Sequence, residues 1–116
     1  MTIDPRILAL KSEVSGWRRD FHAHPEILYD VHRTAGIVAT QLRAFGCDDV
    51  VEGVGQTGVV GVIHGRNGPG GRVVGLRADM DALPIEEETN LAHRSTVPGK
   101  MHACGHDGHT SMLLGA

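Results

Sequence analysis

The run Gly58-Val59-Val60-Gly61-Val62-Ile63-His64-Gly65 is built from β-branched residues and glycine, with no Lys, Arg, Asp or Glu in it. Valine and isoleucine lose side-chain freedom in a helix and pack well on a pleated surface, so the run reads as a strand. Upstream, Val50-Val51-Glu52-Gly53-Val54 has the same character and reads as a second strand. Downstream, Asn67-Gly68-Pro69-Gly70-Gly71 is a tight turn leading into Arg72-Val73-Val74-Gly75-Leu76-Arg77. The nearly continuous apolar run of this third segment is the pattern of a strand covered on both faces.

Before Gly46 the period is helical. Asp4-Pro5 supplies a capping oxygen and a proline preset for the first turn. Ile7, Leu10, Val14, Trp17 and Phe21 then recur at steps of three and four, placing them on one stripe, and His24-Pro25 ends the helix. A second helix spans Val31 to Phe45, with Val31, Ala35, Val38, Leu42 and Phe45 as its buried face and Gly46 as a left-handed cap. Two helices followed by such strands predict an α/β domain with helices packed on a mixed sheet. Residues 82 to 107 read as a long loop, and a helical pattern resumes from Gly108. The sequence stops inside that pattern, so residues 1–116 are expected to be the N-terminal portion of a larger domain.

Composition narrows the function classes. Hydrophobic residues at 41% exclude a disordered tail, and aromatics at 3% leave the core to Val, Ile, Leu and Ala. A net charge of -3 with interspersed signs gives no basis for binding nucleic acid or an anionic membrane. No apolar run approaches the ~20 residues that span a bilayer. The first residues lack the basic start and apolar stretch of a signal peptide, and two cysteines make no disulfide framework. A cytoplasmic address is the expectation.

Chemistry concentrates in Met101-His102-Ala103-Cys104-Gly105-His106-Asp107-Gly108-His109-Thr110. Thiolate, imidazole and carboxylate are the ligands of divalent transition metals, and Cys104 and His106 are two apart, on one side of an extended chain. Asp107 could orient an imidazole from behind, and His109 reads as structural. A second candidate, Arg77-Ala78-Asp79-Met80-Asp81, lies at a predicted strand end, with three alternating polar residues on one face. One acid would orient a metal-bound imidazole and the other tie down Arg77; order along the chain leaves open which does which. His22 and His24 read as capping or positional residues at a helix end, and Glu86-Glu87-Glu88 as a solvated charge run. His64, His93 and Cys47 draw no role.

Four segments occur in a telling order: Arg18 to Glu26, His32-Arg33-Thr34-Ala35, Gly75 to Ile85, and His102 to His109. Together they resemble the N-terminal part of the M20 metallopeptidases, in the amidohydrolase branch that includes hippurate hydrolases, N-acyl-amino-acid amidohydrolases and plant auxin-conjugate hydrolases. The resemblance implies a di-metal aminopeptidase-like catalytic domain in which Cys104 and His106 are metal ligands. Asp81 falls at the acid of the wider family's His-x-Asp motif and takes its catalytic role, with Asp79 at the histidine position. Two divalent ions per complete site are implied, from among Zn, Mn, Co and Ni. The reaction implied is hydrolysis of the amide of a small N-acyl amino acid or related conjugate by metal-activated water. The glutamate base, further ligands and a lid domain that forms homodimer contacts come later in such proteins. The chain alone is therefore expected to hydrolyse nothing measurable. Ile27-Leu28-Tyr29-Asp30-Val31 departs from the glycine and two acids that relatives carry there. Two other classes compete: a non-catalytic remnant or pseudoenzyme with weak metal binding, and a cysteine-dependent hydrolase using Cys104.

Overall fold

A computed structural model describes residues 2–116. Helix α1 (Pro5–Ala23) begins as its sequence dictates: the Asp4 carboxylate accepts the Arg6 N–H at 2.8 Å, and Pro5 occupies the first turn. It ends at His24, whose Nδ1 lies 2.8 Å from the Asp20 carbonyl oxygen, with buried Pro25 barring a further turn. The predicted stripe is buried only toward its C-terminal end. Phe21 is 0% exposed, Val14 and Trp17 are half-buried, and Ile7 is 63% exposed.

Helix α2 (His32–Ala44) follows, one residue shorter at each end than its periodicity implies. Its first N–H groups are capped from a distance. The Glu26 carboxylate accepts the Arg33 N–H at 2.9 Å, and the Thr34 N–H and hydroxyl at 2.7 Å each. The helix closes at Gly46, at φ 82°, where the Cys47 N–H donates to the Leu42 carbonyl at 3.1 Å.

Strands β1 (Asp49–Val54) and β2 (Gly58–Val62) form an antiparallel hairpin in which Asp49 faces Val62, with a bulge between Glu52 and Val54. Helix α2 packs on this hairpin. Gly61 makes the close approach possible, since a Cβ there would lie 3.1 Å from Leu42 Cδ1. The sheet is thus an antiparallel pair among the described residues rather than a mixed sheet. Arg72 to Arg77 form no strand, and Val73 and Val74 are 97% and 84% exposed. Apolar, β-branched composition supplies propensity, but a strand exists only where a neighbour pairs with it.

Residues 82 to 105 are irregular, as expected, yet well anchored. The Ala82 N–H donates to Glu26 O at 2.7 Å, and the Thr96 N–H to Ala23 O at 2.8 Å. Leu83 and Met101 exchange backbone hydrogen bonds at 2.9 and 3.0 Å. Helix α3 (His106–Gly115) starts two residues earlier than the sequence pattern suggests and packs against α1. The core between these layers is small: Phe21, Val31, Ala35, Ala39, Ala82 and Leu114. Among the described residues, no helix is long and apolar enough to cross a membrane.

Candidate metal centre

The backbone turn before α3 creates the site. Gly105 sits at φ 101°, a left-handed conformation that swings the chain from Cys104 into the helix and is strained for any side chain. His106, the first helical residue, then points its Nδ1 at Asp81: 2.8 Å from the backbone carbonyl oxygen and 3.0 Å from Oδ1. Both partners are acceptors, so Nδ1 carries the hydrogen and Nε2 presents its lone pair away from Asp81.

On the Nε2 side stands Asp79, whose Oδ2 is 3.5 Å away. The other oxygen of Asp79 lies 2.7 Å from Nδ1 of His109, three residues further along α3 on the same helical face. The rings of His106 and His109 stack with centroids 5.5 Å apart. The Thr110 hydroxyl donates to the Asp79 carbonyl at 2.7 Å and pins that segment to the helix. Asp79, His106 and His109 consequently offer ligand atoms that all lie within 4.8 Å of one another. The hydrogen bond from His109 holds the Asp79 carboxyl below the usual carboxylate range, against the opposing effect of burial.

The two acids of the Asp79-Met80-Asp81 segment thus take different partners, which their order in the chain left open. Asp81 backs His106, whereas Asp79 faces His109 and lies 3.8 Å from the Arg77 guanidinium. Of the two ligands expected from the sequence, His106 is inside the cluster. Cys104 is a free, exposed thiol on the preceding turn, outside the group of three. His109, expected to be structural, is a member, and the signal for it was present: two histidines at i and i+3 of a helix share a face.

A second polar cluster lies deeper. His22 is 3% exposed; its Nδ1 is 2.8 Å from Asp107 Oδ2, and its Nε2 is hydrogen-bonded to Glu87. Glu87 is no solvated charge, since its side chain is 3% exposed and its second oxygen accepts the Ser95 N–H. Burial pushes the Glu87 carboxyl up, but the bonds from His22 and Ser95 more than offset this and leave it below its ordinary value. His102 is buried beside His22, ring centroids 6.4 Å apart, and neither ring nitrogen has a hydrogen-bond partner among the described residues. Burial pushes its pKa down, with the Asp107 charge opposing. Nothing local in the sequence marks these contacts, because they join residues 65 and 85 positions apart.

The donor chemistry fits a divalent transition ion: two imidazoles, one with its tautomer set by a carboxylate, and a second carboxylate held ionised. Three protein donors are the number that a catalytic site supplies while keeping a coordination position for water or substrate.

Residues 75–116 match the peptidase family M20/M25/M40. Over 98% of its length the chain is 48% identical to a hippurate hydrolase of Campylobacter jejuni, of which it covers 29%. It is also 48% identical to an N-acyl-L-amino acid amidohydrolase of Geobacillus stearothermophilus, across 91% of this chain and 28% of that protein. The crystal structure of the Bacillus subtilis YXEP protein, a dinuclear metal binding peptidase from the M20 family, superposes with a TM-score of 0.83. That match has 39% identity and covers 92% of this chain and 30% of the other. The chain thus spans under a third of the length of the relatives it matches. A similar fold, similarity along nearly the whole chain and a family match across both polar segments agree in one direction: the chain resembles part of the peptidases of family M20/M25/M40.

Proposed function

We propose that residues 1–116 are the metal-binding N-terminal portion of an amidohydrolase catalytic domain. The intact enzyme would cleave the amide of small N-acyl amino acids of the hippurate kind or related conjugates. The observation that carries this reading is the His106 imidazole, oriented by Asp81 and facing Asp79 and His109. The substrate class rests on the hippurate hydrolase and N-acyl-amino-acid amidohydrolase among the similar proteins.

His106 is the central ligand in this scheme. Cys104 contributes from the preceding turn, and Asp79 and His109 from the other side of the ring. Asp81 acts through His106, fixing its tautomer. When bound, a pair of divalent ions (Zn, Mn, Co or Ni) would acidify a water and polarise the amide carbonyl. A small-molecule substrate, a homodimer of the longer protein and a cytoplasmic setting go with this reading, the last supported by two unpaired cysteines. Nucleic acid and membrane partners do not. A cysteine-dependent mechanism has less support, since the free, exposed Cys104 thiol lies outside the cluster that His106 and His109 form with Asp79.

The test is a Co²⁺ titration of the chain followed by visible absorption. Saturable d–d bands, abolished by His106→Gln and by chelator, are expected, with a thiolate charge-transfer band that Cys104→Ser removes. No hydrolysis of N-benzoylglycine by the chain alone is expected. Absence of saturable bands would overturn the metal reading; persistence of the charge-transfer band in Cys104→Ser would remove Cys104 from the ligand set.

A further inference from the structure

The His22 cluster lies outside the metal centre yet holds the helix that builds it. His22 belongs to the last turn of α1 and bridges two acids: Glu87 in the long loop and Asp107 in the first turn of α3. Asp107 is 1% exposed and directly follows His106. Its Oδ1 accepts the Gly108 N–H at 2.9 Å, and its Oδ2 meets His22 and, at 3.4 Å, the Arg18 Nε. Its backbone carbonyl accepts the Ser111 hydroxyl at 2.7 Å. A buried carboxylate is costly unless paired, so Asp107 stays in place only while His22 and Arg18 face it. His22 thus holds one acid at each ring nitrogen.

We infer that His22 is a positioning residue of the metal centre: by gripping Asp107 it sets the orientation of the first turn of α3, and with it His106 and His109. The inference rests on the metal reading above. Asp107 projects inward from α3 while His106 and His109, one residue before and two after it, face Asp81 and Asp79. A rotation of the turn that released Asp107 would therefore swing both imidazoles off their acids. The alternative is that His22 merely contributes to stability, as any buried group does.

Three variants separate these. His22→Gln and Asp107→Asn break the grip from either side. Ala39→Gly removes helix stability in α2, at a fully buried residue outside both polar clusters. Each is melted and titrated with Co²⁺. Both grip variants are expected to bind Co²⁺ roughly 10–100-fold more weakly, the range seen when partners behind a ligand are lost, and to shift the d–d bands at saturation. Ala39→Gly should lower the melting temperature with affinity and spectrum unchanged. Two results would overturn the inference: wild-type affinity and spectrum in a folded His22→Gln, or an equal loss in Ala39→Gly. Should His22→Gln fail to fold, Asp107→Asn decides by the same criteria. Wild-type protein that binds no Co²⁺ would overturn the metal reading itself and this inference with it; binding that is indifferent to the grip would overturn this inference alone.

Discussion

Asp81→Asn separates a ligand from a group that acts through one. In the structure, the His106 Nδ1–H has two acceptors, the Asp81 carbonyl at 2.8 Å and the carboxylate at 3.0 Å. The substitution leaves the backbone acceptor and an amide oxygen in place of the carboxylate, removing only its negative charge, so the tautomer survives and Nε2 keeps its lone pair. The Asp81 side chain is 39% exposed, so solvent screens much of the lost charge. Partners behind a metal ligand typically contribute 10–100-fold in affinity, and with the backbone acceptor intact the loss falls at the low end. About tenfold weaker Co²⁺ binding, or ~1.4 kcal/mol, is expected, read from an absorption titration at neutral pH. Asp79→Asn, which exchanges the anionic donor of the cluster for a weakly binding neutral amide, should lose more than about a hundredfold. Affinity in Asp81→Asn equal to wild type would refute the orienting role. A loss as large as that of Asp79→Asn would refute it from the other side, by making Asp81 a ligand.

Gly105→Ala places a side chain at φ 101° and should cost about 1–2 kcal/mol in urea denaturation, with weaker Co²⁺ binding; an unchanged midpoint would contradict the strain argument. His102 is held neutral by burial, with its folded pKa below the ordinary imidazole value of about 6.5. The unfolded chain therefore takes up that proton first, and stability present above about pH 6.5 is lost as the pH falls toward the folded value. His102→Leu gives up no hydrogen bond and should make this decline shallower at little expense near neutrality, measured by urea midpoints across the interval. Glu87 has the depressed pKa of a carboxylate favoured in the fold, so its contribution is present above its ordinary value and lost as the pH falls through the folded one. Glu87→Gln should lower stability at neutral pH and flatten the acid limb; an acid limb identical to wild type would count against the pairing with His22.

The helices were legible because their signals are local. The Asp4-Pro5 start, the three-and-four spacing and Gly46 each act within a turn or two of chain, and the structure places α1 and α2 within a residue or two of those marks. Burial was less legible: Ile7 lies on the same stripe as Phe21 yet remains in solvent, since periodicity defines a face and not what covers it. Arg72 to Arg77 show the same limit for strands, because pairing depends on a neighbour that composition does not specify.

The sequence by itself determined that thiol, imidazole and carboxylate side chains gather on one turn and that His106 is among them, since Cys104 to His109 are joined by a few covalent bonds and cannot be far apart. It also placed two acids on an adjacent segment. Tertiary structure alone decided the partners: Asp81 behind His106, Asp79 with His109 thirty residues on, and His22 against Asp107 eighty-five residues on. These pairings arise from the packing of α1 on α3 and from a loop tied back by backbone hydrogen bonds. Local propensity carries no information about contacts that form only when distant elements close on one another.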